Sequence, residues 1–255
     1  MPTGRAELPA ARRAAIAAPL DAQRGYDRAA AGFDDWRWSQ LWRQYEAPWV
    51  HAWIRRLHGA YALDVGCGTG NHLAALADAV PQTVGVDLSG AMLARARTRA
   101  PTAWLAQARV EALPLATGCV DAVLAARVLS HVADPARALA EIARVSRHGA
   151  AVLITDVHPD HPYAHTRLPT ADGEVAIETY HHRIDTLRRA ARAAGLRIQA
   201  QREFRRSQLV PAPDRVAFAK LYRGDVPVFH LLKATRAARL HVVTRAVHRA
   251  AVELA

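Results

Sequence analysis

The run Ala62-Leu63-Asp64-Val65 leads directly into Gly66-Cys67-Gly68-Thr69-Gly70, and this passage constrains the fold more than any other in the chain. It reads as a short buried strand that turns, within five residues, into a helix beginning near Asn71-His72-Leu73. Such a turn needs backbone at positive φ and leaves no side chain in the way of an approaching ligand, which is what glycine supplies. The spacing is G-x-G-x-G. The dinucleotide fingerprint G-x-G-x-x-G would place its third glycine at position 71, which is Asn, so a pyrophosphate reading weakens.

Seventeen residues after Gly70, the apolar run Thr83-Val84-Gly85-Val86 ends in Asp87. An acid at the end of the second strand of a βαβ unit is aimed at ribose hydroxyls, which implies an adenosine moiety. With Leu88-Ser89-Gly90-Ala91-Met92-Leu93 following, the chain resembles the class I S-adenosylmethionine-dependent methyltransferases, in their small-molecule branch. The resemblance continues through Glu111-Ala112-Leu113-Pro114-Leu115, Val120-Asp121-Ala122-Val123-Leu124, Leu129-Ser130-His131-Val132-Ala133-Asp134-Pro135, the amphipathic stretch Ala138 to Val145, and the fifth strand Ala151 to Asp156. It implies S-adenosyl-L-methionine as cofactor. Asp64 and the loop of Gly66, Gly68 and Gly70 would hold its methionine end, Asp87 the ribose, and Leu88 with Val110 the adenine. Met92, Arg109 and Val128 complete the expected contacts, and Tyr26, in a Tyr26-Asp27 and Phe33-Asp34 pair similar to a family signature, would close over the cofactor. One departure stands out: relatives usually carry an acid where this chain has Arg109.

The alternation of apolar strands with periodic helices predicts an α/β fold. The expected architecture is a Rossmann-like, seven-stranded, mostly parallel sheet with helices on both faces and an N-terminal helical lid. Residues 1–21 read as a tail and 22–58 as aromatic-rich lid helices. Residues 59–234 form the core, with acceptor-side loops at 158–182 and 205–225. The lid region holds Trp36, Trp38, Trp42, Trp49 and Trp53. Trp38, Trp42, Tyr45 and Trp49 share one helical face, but Pro48 predicts a break into two helices. That stripe packs on the sheet, lines an acceptor pocket, or divides its rings between the two. A hairpin is expected around Asp172-Gly173, and a helix from about Ile184 to Ala194 capped by Gly195. Strands are expected over Leu196 to Phe204 and Val226 to Leu232. Residues 235–255 read as a helical extension, serving either as a homodimer contact or as a capping helix.

The 255 residues, 51% of them apolar, suffice for one α/β core. No apolar run reaches the ~18 residues of a membrane span. The stretch Ala14 to Leu20, broken by Pro19, makes a poor signal-peptide core. Cys67 and Cys119 cannot form a disulfide framework, so a cytoplasmic setting is expected. A net charge of +11 invites nucleic-acid binding. Only two of the 34 basic residues are lysines, Lys220 and Lys233, however, and the arginines are spread along helices, a pattern of solvated faces.

A sulfonium is an activated methyl donor, so such a protein must mainly align the acceptor and exclude water. A hydroxyl acceptor would also need a base, and histidine suits that task. The candidates are His131, His158 and His182, with His181 beside the last; His158 is favoured because it lies just beyond the fifth strand, where the enzymes this chain resembles face their acceptor, and His182 because Tyr180 to His182 forms a second acceptor-side cluster. No metal site is specified by spacing. The expected partner is a small-molecule acceptor methylated on O or N, possible in secondary metabolism, with no nucleic acid and no membrane. Two alternatives stay open. An RNA or protein methyltransferase would show a contiguous basic rim; a non-catalytic regulatory or assembly protein would keep only the fold.

Overall fold

The computed structural model describes residues 18–209 and 224–237. The expected tail at 1–21 is described only from residue 18. Part of the 205–225 loop, and the 235–255 extension beyond residue 237, lie outside the described residues.

Seven strands form one sheet: β1 (Tyr61–Val65), β2 (Gln82–Asp87), β3 (Trp104–Gln107), β4 (Val120–Ala126), β5 (Ser146–Val157), β8 (Leu196–Arg205) and β9 (Pro227–Arg236). Their order is β3-β2-β1-β4-β5-β9-β8. The first five are parallel, and β9 runs antiparallel to both β5 and β8. The strand order reverses between β1 and β4, which opens a crevice at their carboxyl ends, the usual ligand position in such sheets. Strands β1 and β4, and residues 150–154 of β5, are near-continuous apolar runs because helices cover both faces.

The helices start where the sequence provides caps. Asp21 accepts from Arg24 N–H ahead of α1 (Ala22–Ala29), and Ser89 accepts from Met92 N–H ahead of α5 (Gly90–Arg99). Asp134 caps α6 (Pro135–Val145), which buries Ala138, Leu139, Ile142, Ala143 and Val145 on the main core. Helix α7 (Ile184–Ala193) buries Ile184, Leu187 and Ala191, and Gly195 follows at φ 81°. The remaining core helix, α4 (Asn71–Ala79), begins at the glycine turn.

The tryptophan stripe divides as the proline predicts, into α2 (Arg37–Tyr45) and α3 (Ala47–Ile54) with Pro48 in the first turn of the second. Of the two uses open to it, the structure takes sheet packing. Trp42 meets Phe229 edge-on at 6.1 Å, and Trp49 packs on Phe204 at 5.1 Å. These rings bury a satellite core over the antiparallel end of the sheet. The hairpin, β6 (Thr166–Thr170) with β7 (Gly173–Ile177), forms a separate two-stranded sheet that packs under α1. Leu20 bridges to Ile177, so the residue just ahead of the lid is tied to a hairpin 157 positions downstream.

Candidate functional site

The crevice at the β1–β4 switch point is a cleft whose floor is main chain. Gly66 and Cys67 N–H donate to the Val86 carbonyl at 2.7 and 3.0 Å, pinning the turn to the end of β2. Gly66, Gly68 and Gly70 all hold positive φ, at 66°, 54° and 85°. A Cβ on Gly66 would lie 2.3 Å from Val128 Cγ2, so the turn is packed from behind, whereas one on Gly68 would meet nothing within 4 Å. Gly70 serves differently from the expectation that it touches ligand: it starts α4 where an added Cβ would lie 3.1 Å from Ala96 Cα, and it does not line the cleft.

Two carboxylates face this floor. Asp87 accepts from Gly68 N–H through Oδ2 and from Ser89 N–H through Oδ1, both at 2.8 Å, which fixes its plane. Burial pushes its pKa up despite those bonds. Asp64 is 2% exposed, and its Oδ2 has no hydrogen-bond partner. Burial raises its pKa well above the ordinary range, and the nearby Asp87 charge adds to this. A buried acceptor with no donor is costly unless a ligand supplies one. An ammonium beside Asp64 and a ribose diol beside Asp87 fit these groups, so the residues present suit S-adenosylmethionine.

The lid closes the cleft from above through two acids. Asp27 accepts from Ser89 Oγ at 2.5 Å and from Ala91 N–H at 3.2 Å, joining α1 to the start of α5. Asp34 accepts from Thr69 Oγ1, Asn71 Nδ2 and both Arg95 and Arg99. Burial alone would raise its pKa, but the bonds from Arg99, Thr69 and Asn71 outweigh that and hold it at about 2. Tyr26 and Phe33 supply the aromatic wall. The Tyr26 hydroxyl lies 2.8 Å from His131 Nε2, and His131 Nδ1 lies 3.2 Å from the Glu178 carbonyl. A carbonyl only accepts, so Nδ1 carries the proton and Nε2 accepts from Tyr26. Burial lowers the imidazole pKa and raises the phenol pKa, leaving both neutral.

Side-chain pairs from distant elements build the opposite wall. Arg127, at the end of β4 with φ 58°, forms an ion pair with the fully buried Glu46 between α2 and α3 and stacks over Trp42 at 5.4 Å. Thr155 Oγ1 donates to the other Glu46 oxygen at 2.6 Å. Burial lowers the Arg127 pKa to about 10. His72 also lines the cleft, with a pKa pulled down to about 4 by burial.

Of the expected cofactor residues, Tyr26, Asp64, Gly66, Gly68, Asp87, Leu88, Met92, Arg109, Val110 and Val128 line this one cleft. Of the three histidines, only His131 does. His158 and His182, the favoured bases, face away. Neither is among the residues that line the cleft; His158 follows the end of β5 and packs beside β8 and β9. There the His158 ring accepts from Asp160 N–H and donates to Glu203 at 3.2 Å. His182 donates to the Val132 carbonyl at 2.7 Å. Both rings are committed to packing. Phe33, Thr69, Asn71, Glu111 and Arg127 line the cleft without having been singled out as site residues. The Phe33-Asp34 pair carried a hint of the lid clamp; nothing local to Arg127 or Glu46 announces theirs. Among the described residues no cluster of three or more His, Cys, Asp or Glu is arranged to hold a metal, and no helix is long and apolar enough to cross a membrane.

Residues 63–154 match a family model described as a methyltransferase domain. A probable S-adenosylmethionine-dependent methyltransferase of Mycolicibacterium smegmatis is 32% identical over 100 residues, 39% of each chain. An O-methyltransferase of Penicillium expansum is 35% identical over 111 residues, 41% of this chain and 40% of that one. This chain therefore spans well under two thirds of the curated relatives it matches. An S-adenosylmethionine-dependent methyltransferase from Mesorhizobium loti superposes with a TM-score of 0.60 over 75% of this chain and 97% of that one, at 23% identity, a likeness of fold.

Proposed function

Because the chain carries a class I S-adenosylmethionine-dependent methyltransferase domain, we propose that the protein transfers a methyl group to oxygen or nitrogen of a small organic acceptor. The observation that carries this reading is the convergence of three features in one lidded cleft: the partnerless Asp64 oxygen, the backbone-fixed Asp87 carboxylate, and the Tyr26–His131 pair. When bound, the cofactor supplies an electrophilic methyl group. The chain's own work is to bind, orient and exclude water. Asp64 accepts from the ammonium of the methionine end, and Asp87 accepts from the ribose hydroxyls. Tyr26 and Phe33 cover the cleft, which favours a small acceptor over a nucleic acid or protein chain. The O-methyltransferase relative supports the same class.

For a hydroxyl acceptor, the neutral Tyr26–His131 pair is the base: the Tyr26 oxygen accepts the acceptor's proton as its own passes to His131 Nε2. An amine acceptor needs the pair only for orientation. The test is transfer of radiolabelled methyl from S-adenosylmethionine to panels of phenols, carboxylic acids and amines, with bulk RNA and protein as comparison acceptors. Label on a small molecule supports the proposal. Label on RNA or protein alone would replace it with the macromolecular reading, and no transfer from a protein that binds cofactor would favour a non-catalytic role.

A further inference from the structure

We infer that Glu46, buried behind Arg127, tunes the acceptor end of the cleft for a neutral carbonyl oxygen and against a carboxylate. The inference rests on the methyltransferase reading above and names the class of its acceptor. Asp64, Asp87 and the glycine turn account for the half of the cleft that the cofactor needs. The remaining half runs along the end of β4 and under the lid, where Phe33, His72, Ala126 and Arg127 line it. His72 adds no charge there, since burial holds its pKa at about 4.

Arg127 is set to meet a ligand. Among the described residues it is the only non-glycine at positive φ, 58°, a conformation that persists only where the surroundings enforce it. Its N–H donates to the Thr155 carbonyl at 2.7 Å, and its guanidinium stacks over Trp42 with 24% of the side chain exposed. Glu46 engages Nη1, and Thr155 occupies the other Glu46 oxygen. Nε and Nη2 make no hydrogen bond among the described residues, so a planar, immobile fork keeps donors for an acceptor oxygen. Tyr26 feels the same charge: burial raises its phenol pKa, and Arg127 pulls the other way. A hydroxyl delivered to Tyr26 therefore belongs to a molecule that also passes Arg127.

The charge around that fork decides which oxygen suits it. Glu46 is fully buried, and Asp156, 2% exposed, is held by the Ser130 and Val157 amides at 2.8 Å. Burial lowers the Arg127 pKa while Tyr26 and Asp156 oppose that, so Asp156 acts on the same guanidinium. Two carboxylates thus already face one cation. A third would gain hydrogen bonds but meet net repulsion in a site of low dielectric, whereas a ketone or amide oxygen takes the same bonds without it.

The experiment is calorimetric titration of the S-adenosylhomocysteine-saturated chain with 4-hydroxyacetophenone, 4-hydroxybenzoate and phenol. Wild type, Glu46→Gln and Arg127→Met are compared, with thermal unfolding to verify that each is folded. Wild type should bind the ketone about tenfold more tightly than phenol, the scale of one hydrogen bond to a charged donor, and more tightly than the benzoate. Glu46→Gln can still bond Thr155 and Arg127 but removes a charge, so the ketone preference over benzoate should fall about tenfold or invert. Arg127→Met should erase the ketone's advantage over phenol. It leaves Glu46 buried and unpaired, so where it fails to fold, the double variant Glu46→Gln with Arg127→Met takes its place, with the same outcome expected. Tighter binding of benzoate than of ketone by wild type, or an unchanged preference in Glu46→Gln, would overturn the inference. Binding of none of the three probes would also overturn it, with the cofactor reading intact. Failure of S-adenosylhomocysteine itself to bind would instead remove the reading on which it rests.

Discussion

The two sides of the cleft are made by different means. On the β1–β2 side the polar groups are fixed by main chain: Gly66 and Cys67 amides on Val86, Gly68 and Ser89 amides on Asp87. On the side of β4, β5 and the lid they are fixed by side chains from distant elements: Glu46 with Arg127 and Thr155, and Tyr26 with His131. A main-chain site tolerates many neighbours but needs glycine and an acid at set spacings. A side-chain site tolerates many backbones but fails when one partner is removed, because the other is left buried and unpaired.

The difference can be broken first at Glu46. Glu46→Ala strands the Arg127 guanidinium against Trp42 and should cost about 3–5 kcal/mol of stability, read by urea unfolding. A loss under 1 kcal/mol would mean that the pair is not what seats the lid. Acid stability sharpens the comparison next. His230 lies buried in β9, and burial holds its pKa down at about 4, below its unfolded value, so the unfolded chain binds more protons between pH 6.5 and 4. Its contribution is complete above that window and is lost as pH falls through it, by up to about 1.4 kcal/mol per pH unit. His230→Leu should flatten that part of the stability profile; an unchanged slope would exempt the antiparallel end of the sheet.

On the main-chain side, Asp87→Ala should weaken S-adenosylhomocysteine binding by about 1–3 kcal/mol. Unchanged affinity in calorimetry would remove Asp87 from the site. The smallest effect is expected at Tyr26→Phe, which deletes one hydroxyl and should cost about 1 kcal/mol in stability. Methyl transfer to a hydroxyl acceptor should nonetheless drop well beyond that change. Equal losses for hydroxyl and amine acceptors would assign Tyr26 to covering the cofactor rather than to moving a proton.

The same contrast explains what could be read from the sequence. The strand, glycine turn and Asp87 are local patterns with local causes, so the mostly parallel sheet and the floor of the cleft were legible, whereas the strand order came from the structure. The break at Pro48, the hairpin near Gly173 and the cap at Gly195 were legible for the same reason. The choice between His131, His158 and His182 was not. Proximity to a strand end says nothing about where a side chain points, and His158, just past the end of β5, is bound to Glu203 of β8 and does not line the cleft. The Glu46–Arg127 pair joins residues 81 positions apart and has no local signature.

The most direct test of the central claim is calorimetric titration of this chain with S-adenosylhomocysteine, run beside Asp64→Asn. The account predicts saturable one-to-one binding by wild type and clearly weaker binding by the variant, whose amide replaces the buried, partnerless acceptor with a neutral group. No binding by folded, ligand-free wild type, or equal binding by the variant, would contradict it.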